Sequence, residues 1–192
     1  MELTCRRILS RSRPVPAAKM NNMPRRPSII IREMHVDDIP AVVALGNTLF
    51  TAETSPTLYR CWEEAEVLQV YTAYKDTCLV ATKNDKVIGF ALGTLLEKPG
   101  SSWLYGWLDW LGVDPAFKRQ RVARRLAKQV QERFVEKGVR IMLVDTYEGN
   151  RSAIAFFRKF GFGQGIRHIY MSLNLDNHPK AIERKFLNDP GD

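Results

Sequence analysis

Val113-Asp114-Pro115-Ala116-Phe117-Lys118-Arg119-Gln120-Arg121-Val122-Ala123-Arg124-Arg125-Leu126 is the stretch on which the fold turns. Its upstream half closes an aromatic-rich run, Trp103 to Val113, which reads as a long strand stopped at Asp114-Pro115. Its downstream half opens a helix. Val122, Leu126, Val130 and Phe134 recur every four residues, and Gly138 stands where a helix ends. Between the two lies a strongly basic loop. The amides of a helix's first turn have no internal acceptors and the helix dipole adds partial positive charge, so such a junction suits a pyrophosphate. Taken alone it equally fits a solvated basic helix face.

Outward from this junction the pattern is mixed α/β. Ile29 to Met34 reads as a first strand, and Asp37 and Asp38 precede a helix that runs to Phe50 with Pro40 in its first turn. A polar connection over 51–61 leads to a second helix, Glu63 to Tyr74. Thr77 to Thr82 and Val87 to Leu96 form a hairpin about the Asn84-Asp85-Lys86 turn. After the basic helix come a buried strand over Arg140 to Thr146, a helix opened by Asn150 and closed by Gly161, and a last strand over Gly165 to Leu175. The predicted order is β-α-α-β-β-β-α-β-α-β.

The 192 residues, 45% of them apolar, suit one core and one domain over 29–175. The formal charge of +8 is unevenly spread. Residues 1–28 hold seven bases against one acid, a net of +6, which leaves +2 for everything else. That arm, broken by Pro14, Pro16, Pro24 and Pro27, reads as disordered. It is open to three readings: a transit peptide, a nucleic-acid-binding arm, or residues upstream of a start at Met20 or Met23. Residues 176–192 read as a polar tail. No apolar run reaches the ~20 residues of a membrane helix. Three widely spaced cysteines, Cys5, Cys61 and Cys78, without a Cys-x-x-Cys pair or secretory leader, fit free thiols in a reducing cytoplasm. His35 and His168 have no Cys or acid at ligand spacing, so neither a metal nor a Ser/His/Asp site is expected.

Two motifs carry a resemblance to a known family. Lys118-Arg119-Gln120-Arg121-Val122-Ala123, preceded by Leu111-Gly112-Val113-Asp114-Pro115, resembles the Gln/Arg-x-x-Gly-x-Gly/Ala element of the GNAT (GCN5-related) N-acetyltransferases. Asn150-Arg151-Ser152-Ala153-Ile154-Ala155-Phe156-Phe157-Arg158-Lys159-Phe160-Gly161-Phe162 is similar to that family's second element. The resemblance implies a central, mostly antiparallel sheet with a splayed parallel strand pair and about four flanking helices. It implies transfer of an acetyl group from acetyl-coenzyme A to an amine, without a metal. Leu111 and Val113 would bond the pantetheine arm through their backbones. Lys118, Arg119, Gln120, Arg121, Val122, Ala123 and Arg124 would hold the pyrophosphate, and Asn150 and Phe157 would face the cofactor. Two positions depart from the family pattern. Arg121 stands where relatives have glycine, and Phe157 stands where many have a proton-donating Tyr.

The reaction needs a base for the amine and often an acid for the thiolate. Asp145, expected at the end of a buried strand five residues before Asn150, is the first candidate base. Asp109, which interrupts Trp107-Leu108-Asp109-Trp110-Leu111, is the second. Either could instead be a structurally paired acid. Tyr147 is the nearest substitute for the missing acid, or a plain surface Tyr. Trp103, Trp107 and Trp110 read as core or cleft wall. The acceptor could be a small molecule, a lysine or a protein N-terminus, placed over the first two helices and the Phe50 to Trp62 region, and a homodimer is open. A coenzyme A-binding regulatory module without turnover is the alternative reading, motivated by Arg121 and Phe157.

Overall fold

The computed structural model describes residues 28–51, 62–100, 102–169, 171 and 173–188. The basic arm, most of the 51–61 connection, Cys5 and Cys61 therefore lie outside the described residues. Five strands, β1 (Ile30–Glu33), β2 (Cys78–Lys83), β3 (Lys86–Glu97), β4 (Leu104–Val113) and β5 (Val139–Leu143), form one sheet in chain order. Neighbours are antiparallel except β4 and β5, which run parallel. The β2–β3 turn is the tight hairpin the sequence predicts, because Asn84 and Asp85 take φ of 50° and 59°, a conformation these residues tolerate.

Helices cover both faces. On one face, α1 (Ile39–Leu49) and α2 (Glu64–Tyr74) bury Val42, Val67 and Val70 against Phe90, Leu92 and Trp110. Trp62 locks this layer: its indole donates to the Val43 carbonyl at 3.0 Å and lies where any side chain on Gly46 would sit. On the other face, α3 (Val122–Glu136) buries Val122, Leu126, Val130 and Phe134, the residues whose spacing announces it, against Leu79, Ile88 and Leu108. Gly138, with φ of 81°, ends that turn and starts β5.

The entry to α1 is fixed by charge. Arg32 grips Asp38 through both guanidinium nitrogens, at 2.6 and 2.8 Å, and the His35 amide donates to the same carboxylate at 2.7 Å. The Arg32 hydrogen bond, ahead of the other contributions, holds the Asp38 carboxyl below its usual range.

Beyond β5 the structure departs from expectation in three ways. β5 ends at Leu143, so Asp145 does not end a buried strand; it is exposed on an irregular segment leading to α4 (Arg151–Phe160). A last strand is expected over Gly165 to Leu175, but the described residues of that span belong to no sheet, because alternation prepares a segment to pair but supplies no partner. The expected polar tail contains a further helix, α5 (Pro179–Asn188).

Candidate active site

The site begins where two strands part. β5 follows β4 from Leu104 opposite Val139 to Trp107 opposite Leu143, and no further. Leu108 to Val113 go on pairing with β3, through one register shift, while their other edge has lost its β5 neighbour. Backbone donors and acceptors along that edge can bond an extended ligand as a strand would. Leu111 and Val113, both expected to bind the pantetheine arm, lie on it.

The basic junction continues from this edge. A short 3-10 turn, Pro115–Phe117, is started by the Asp114 carboxylate accepting from the Ala116 amide at 2.9 Å. The first α3 bond runs from the Arg125 amide to the Arg121 carbonyl at 3.0 Å, which leaves the Val122, Ala123 and Arg124 amides aimed out of the helix end. No acid stands in that first turn. Lys118, Arg119, Gln120, Arg121 and Arg124 are exposed around it, whereas Val122 turns its side chain into the core and contributes only its amide. The donor set fits a polyphosphate.

Arg121 answers the question its sequence position raises. Its backbone sits at φ 61°, ψ 16°, the left-handed region a glycine would occupy, and Arg119 nearby has φ of 65°. The chain keeps the glycine-like path and tolerates ~1–2 kcal/mol of strain per residue to do so. Its side chain is exposed and makes no cap hydrogen bond to α3.

α4 forms the far wall. Phe156, Phe157 and Phe160 pack from α4 against the buried cluster that contains Val122 and Leu126. The Arg124 guanidinium lies over the Phe160 ring at 5.7 Å. Phe157 sits edge-on to Phe156 and Phe162, an apolar position with nothing to donate. The Asn150 side-chain oxygen caps α4, accepting from the Ala153 amide at 3.1 Å and the Ser152 hydroxyl at 3.0 Å. Asn150 is therefore a helix cap as well as a candidate cofactor contact.

Two aspartates flank the fork. Leu92 pairs Trp110 while Gly93 pairs Leu108, so Asp109 is the extra residue of a β-bulge two positions past the last β4–β5 pair. The half-buried Asp109 carboxylate accepts from the Thr94 hydroxyl at 2.7 Å. It adds to the forces that push the Cys78 thiol up to about 12, burial being the largest, so this thiol stays protonated. Across the fork the Trp107 indole donates to Asp145 at 3.2 Å, joining β4 to the segment beyond β5. Tyr147 is exposed on that segment, its ring packed over Gly149. Among the described residues no group of His, Cys, Asp and Glu could hold a metal ion, and no helix is long and apolar enough to cross a membrane.

A family model for GNAT acetyltransferases matches residues 47–162, which include the fork, the basic junction and α4. The chain belongs to the GNAT acetyltransferase family. No curated protein matches it by sequence. Among solved structures, the GNAT chain is similar to the aminoglycoside N-acetyltransferase AAC(6')-Iy in complex with CoA, with a TM-score of 0.63 and 24% identity over 79% of this chain and 98% of that one. It is also similar to an aminoglycoside acetyltransferase from an uncultured soil metagenomic sample in complex with sisomicin (TM-score 0.60, 19% identity, 76% and 97% covered). A third is Ard1 from Thermoplasma volcanium (TM-score 0.57, 20% identity, 80% and 90% covered). At these identities the likeness establishes the GNAT fold.

Sequence reasoning missed Thr94 and the tie between Trp107 and Asp145. Thr94 has no motif around it, and Trp107 and Asp145 are 38 residues apart. Only the interrupted apolar alternation at Asp109 hints at the bulge. The acceptor region expected from Phe50 to Trp62 lies mostly outside the described residues.

Proposed function

We propose that this GNAT chain is an acyl-CoA-dependent N-acetyltransferase acting on an amine. One observation carries the reading: the unpaired β4 edge past Trp107 leads into the acid-free, base-ringed N-terminus of α3. An extended arm ending in phosphates suits a strand edge that leads into a helix N-terminus. Acetyl-coenzyme A, when bound, supplies an activated acyl carbon. Leu111 and Val113 would hold its arm by backbone bonds, and the Val122, Ala123 and Arg124 amides with Lys118, Arg119, Gln120 and Arg121 would hold its phosphates. Solved relatives with CoA or an aminoglycoside support the donor and an amine acceptor.

At the fork the amine nitrogen bonds to the acyl carbon as the carbon–sulfur bond breaks. The amine must first lose a proton. We assign that proton to Asp109 ahead of Asp145. Asp109 is half-buried at the β4 bulge, where β4 runs beside β3 and the Thr94 hydroxyl holds its carboxylate, whereas Asp145 is exposed beyond the end of β5, which removes the rigidity that favoured it. Phe157 has no proton for the departing thiolate, which leaves water, Tyr147 or the ammonium formed on attack for that step.

The test is thiol release from acetyl-CoA against a panel of amines, with melting followed in parallel. Asp109→Asn is expected to lower turnover ~10²–10⁴-fold and to remove the acidic limb of the pH–rate profile, with a smaller loss in Asp145→Asn. Wild-type rates in Asp109→Asn refute its role. A melting shift with CoA but no transfer to any amine would favour the regulatory CoA-binding reading that the Phe157 position suggests. No melting shift at millimolar CoA would overturn both.

A further inference from the structure

The bulge in β4 sets one side chain of β3 beside the candidate base. Thr94 pairs with Trp107, the residue at which β4 parts from β5, and Gly93 pairs with Leu108. One further step of that ladder would set Asp109 opposite Leu92, in the core that α1 and α2 cover. The extra residue gives that place to Trp110. The Asp109 carboxylate meets the Thr94 hydroxyl instead, at 2.7 Å.

The backbone on either side of Thr94 is tied down. Phe134 and Val130 of α3 fill the space where a side chain on Gly93 would begin, the nearest atom being 2.8 Å away. The buried Thr77 hydroxyl donates to the Gly93 carbonyl at 2.6 Å, and the Tyr74 hydroxyl donates to the Leu95 carbonyl at 3.2 Å. A register slip that would part Thr94 from Asp109 is therefore opposed from both neighbours.

Partial burial disfavours an ionised carboxyl, and so does like charge nearby. Other elements bring four titratable groups to this corner. β2 brings the Cys78 thiol, which stays protonated. α2 brings Tyr74 and Glu66, the latter accepting from the indole of Trp110 at 2.9 Å. From beyond β5 comes Asp145, on the Trp107 indole at 3.2 Å. The two carboxyls among them work against a third charge. A hydroxyl that donates to the ionised form of Asp109 works for it.

We propose that Thr94 is a positioning residue for the acyl transfer: its hydroxyl holds the Asp109 carboxylate ionised and oriented to take the amine's proton at the fork. The hydroxyl keeps its own proton throughout. The proposal rests on the reading of Asp109 as the base, and adds to it the group on a neighbouring strand by which that base is tuned.

The experiment compares Thr94→Val, Thr94→Ser and Asp109→Asn in the full chain. Thiol release is followed across pH with acetyl-CoA and the most reactive amine of the panel. In parallel, NMR titration of protein isotope-labelled in its aspartate carboxyl carbons follows Asp109, whose signal the Asp109→Asn variant identifies. Thr94→Val should lower kcat ~10- to 10²-fold with little change in KM for acetyl-CoA, as a displaced catalytic group does. Losing a donor to the charged form raises the carboxyl's pKa. The acidic limb of the pH–rate profile and the Asp109 titration should therefore both move up by about one pH unit. Thr94→Ser keeps the hydroxyl and should restore the parent's limb. Thr94→Ala removes it with a smaller side chain and should repeat the Thr94→Val result, which separates loss of the donor from a folding defect peculiar to valine. On an Asp109→Asn background, Thr94→Val should add no further loss.

A limb and a titration unmoved by Thr94→Val and Thr94→Ala overturn the proposal, and a slow Asp109→Asn then leaves the base reading standing. An equal loss in Thr94→Ser overturns it too, as does a full further loss on the Asp109→Asn background, since Thr94 would then act by packing. Wild-type rates in Asp109→Asn, or no transfer by the parent, remove the base reading and the proposal with it.

Discussion

α3 and α4 each follow a strand and each carry an apolar stripe, yet α3 buries Val122, Leu126, Ala127, Val130 and Phe134 while α4 buries nothing. The difference lies in what faces them. α3 lies across the sheet, with Leu79, Ile88 and Leu108 beneath it, whereas α4 is packed through its phenylalanines at the margin of that cluster. Amphipathic pattern states which side of a helix wants cover; it does not state that the same chain provides it.

The sharpest test of this contrast is truncation on each helix. Leu126→Ala should destabilise by ~2–5 kcal/mol, as a fully buried leucine does. Ile154→Ala on half-exposed α4 should cost less than about 1 kcal/mol in a monomer, read by denaturant unfolding. Equal losses would show α4 to be as well covered as α3. The α1–α2 layer should behave like α3: Gly46→Ala drives a methyl to within 1.9 Å of the Trp62 ring, and a loss of ~1–3 kcal/mol is expected.

A smaller effect of opposite sign is expected at the α3 N-terminus. Arg121→Gly should raise stability by about 0.5–1 kcal/mol, the relief of left-handed strain offset by the freer unfolded chain. Measuring CoA affinity in the same variant separates the roles of the backbone and the charge. Unchanged affinity means the amides bind the phosphates, and weakened affinity means the guanidinium takes part.

The smallest effect is electrostatic. Because Asp38 is held below its ordinary 3.8 by Arg32, the pair's contribution is present above that pH and is lost as pH falls through the lower folded value. With Arg32 partly exposed, that contribution is at most about 1 kcal/mol. Arg32→Met should therefore lower the melting temperature near neutral pH and converge on the parent in strong acid. A constant difference at every pH would refute the ion-pair account.

The same contrast explains what the sequence could disclose. Val122, Leu126, Val130 and Phe134 announce α3, and Asn84-Asp85 announces its turn, because each signal lies within a few residues and the sheet completes it. The strand expected over 165–175 reads as clearly, but pairing depends on an edge elsewhere. α5 is hidden because its stretch, Pro179 to Asn188, is polar in composition. At the site, the basic junction is local and legible. The bulge at Asp109 is not, because a register shift is a property of two strands together, and Asp145 lies beyond the sheet because β5 stops three residues before the expected Thr146.

Trp107 occupies the last β4 position before the strands part, and its indole reaches across to Asp145. Trp62 and Trp110 are sealed in the opposite layer, and Trp103 stands exposed under the Arg140 guanidinium at 4.8 Å. The four indoles thus sit in unlike surroundings, so the protein's ultraviolet emission is a composite of separable spectra. An acyl donor bound at the fork as proposed would perturb the Trp107 component, which would make that residue an intrinsic fluorescent gauge of occupancy with no label attached.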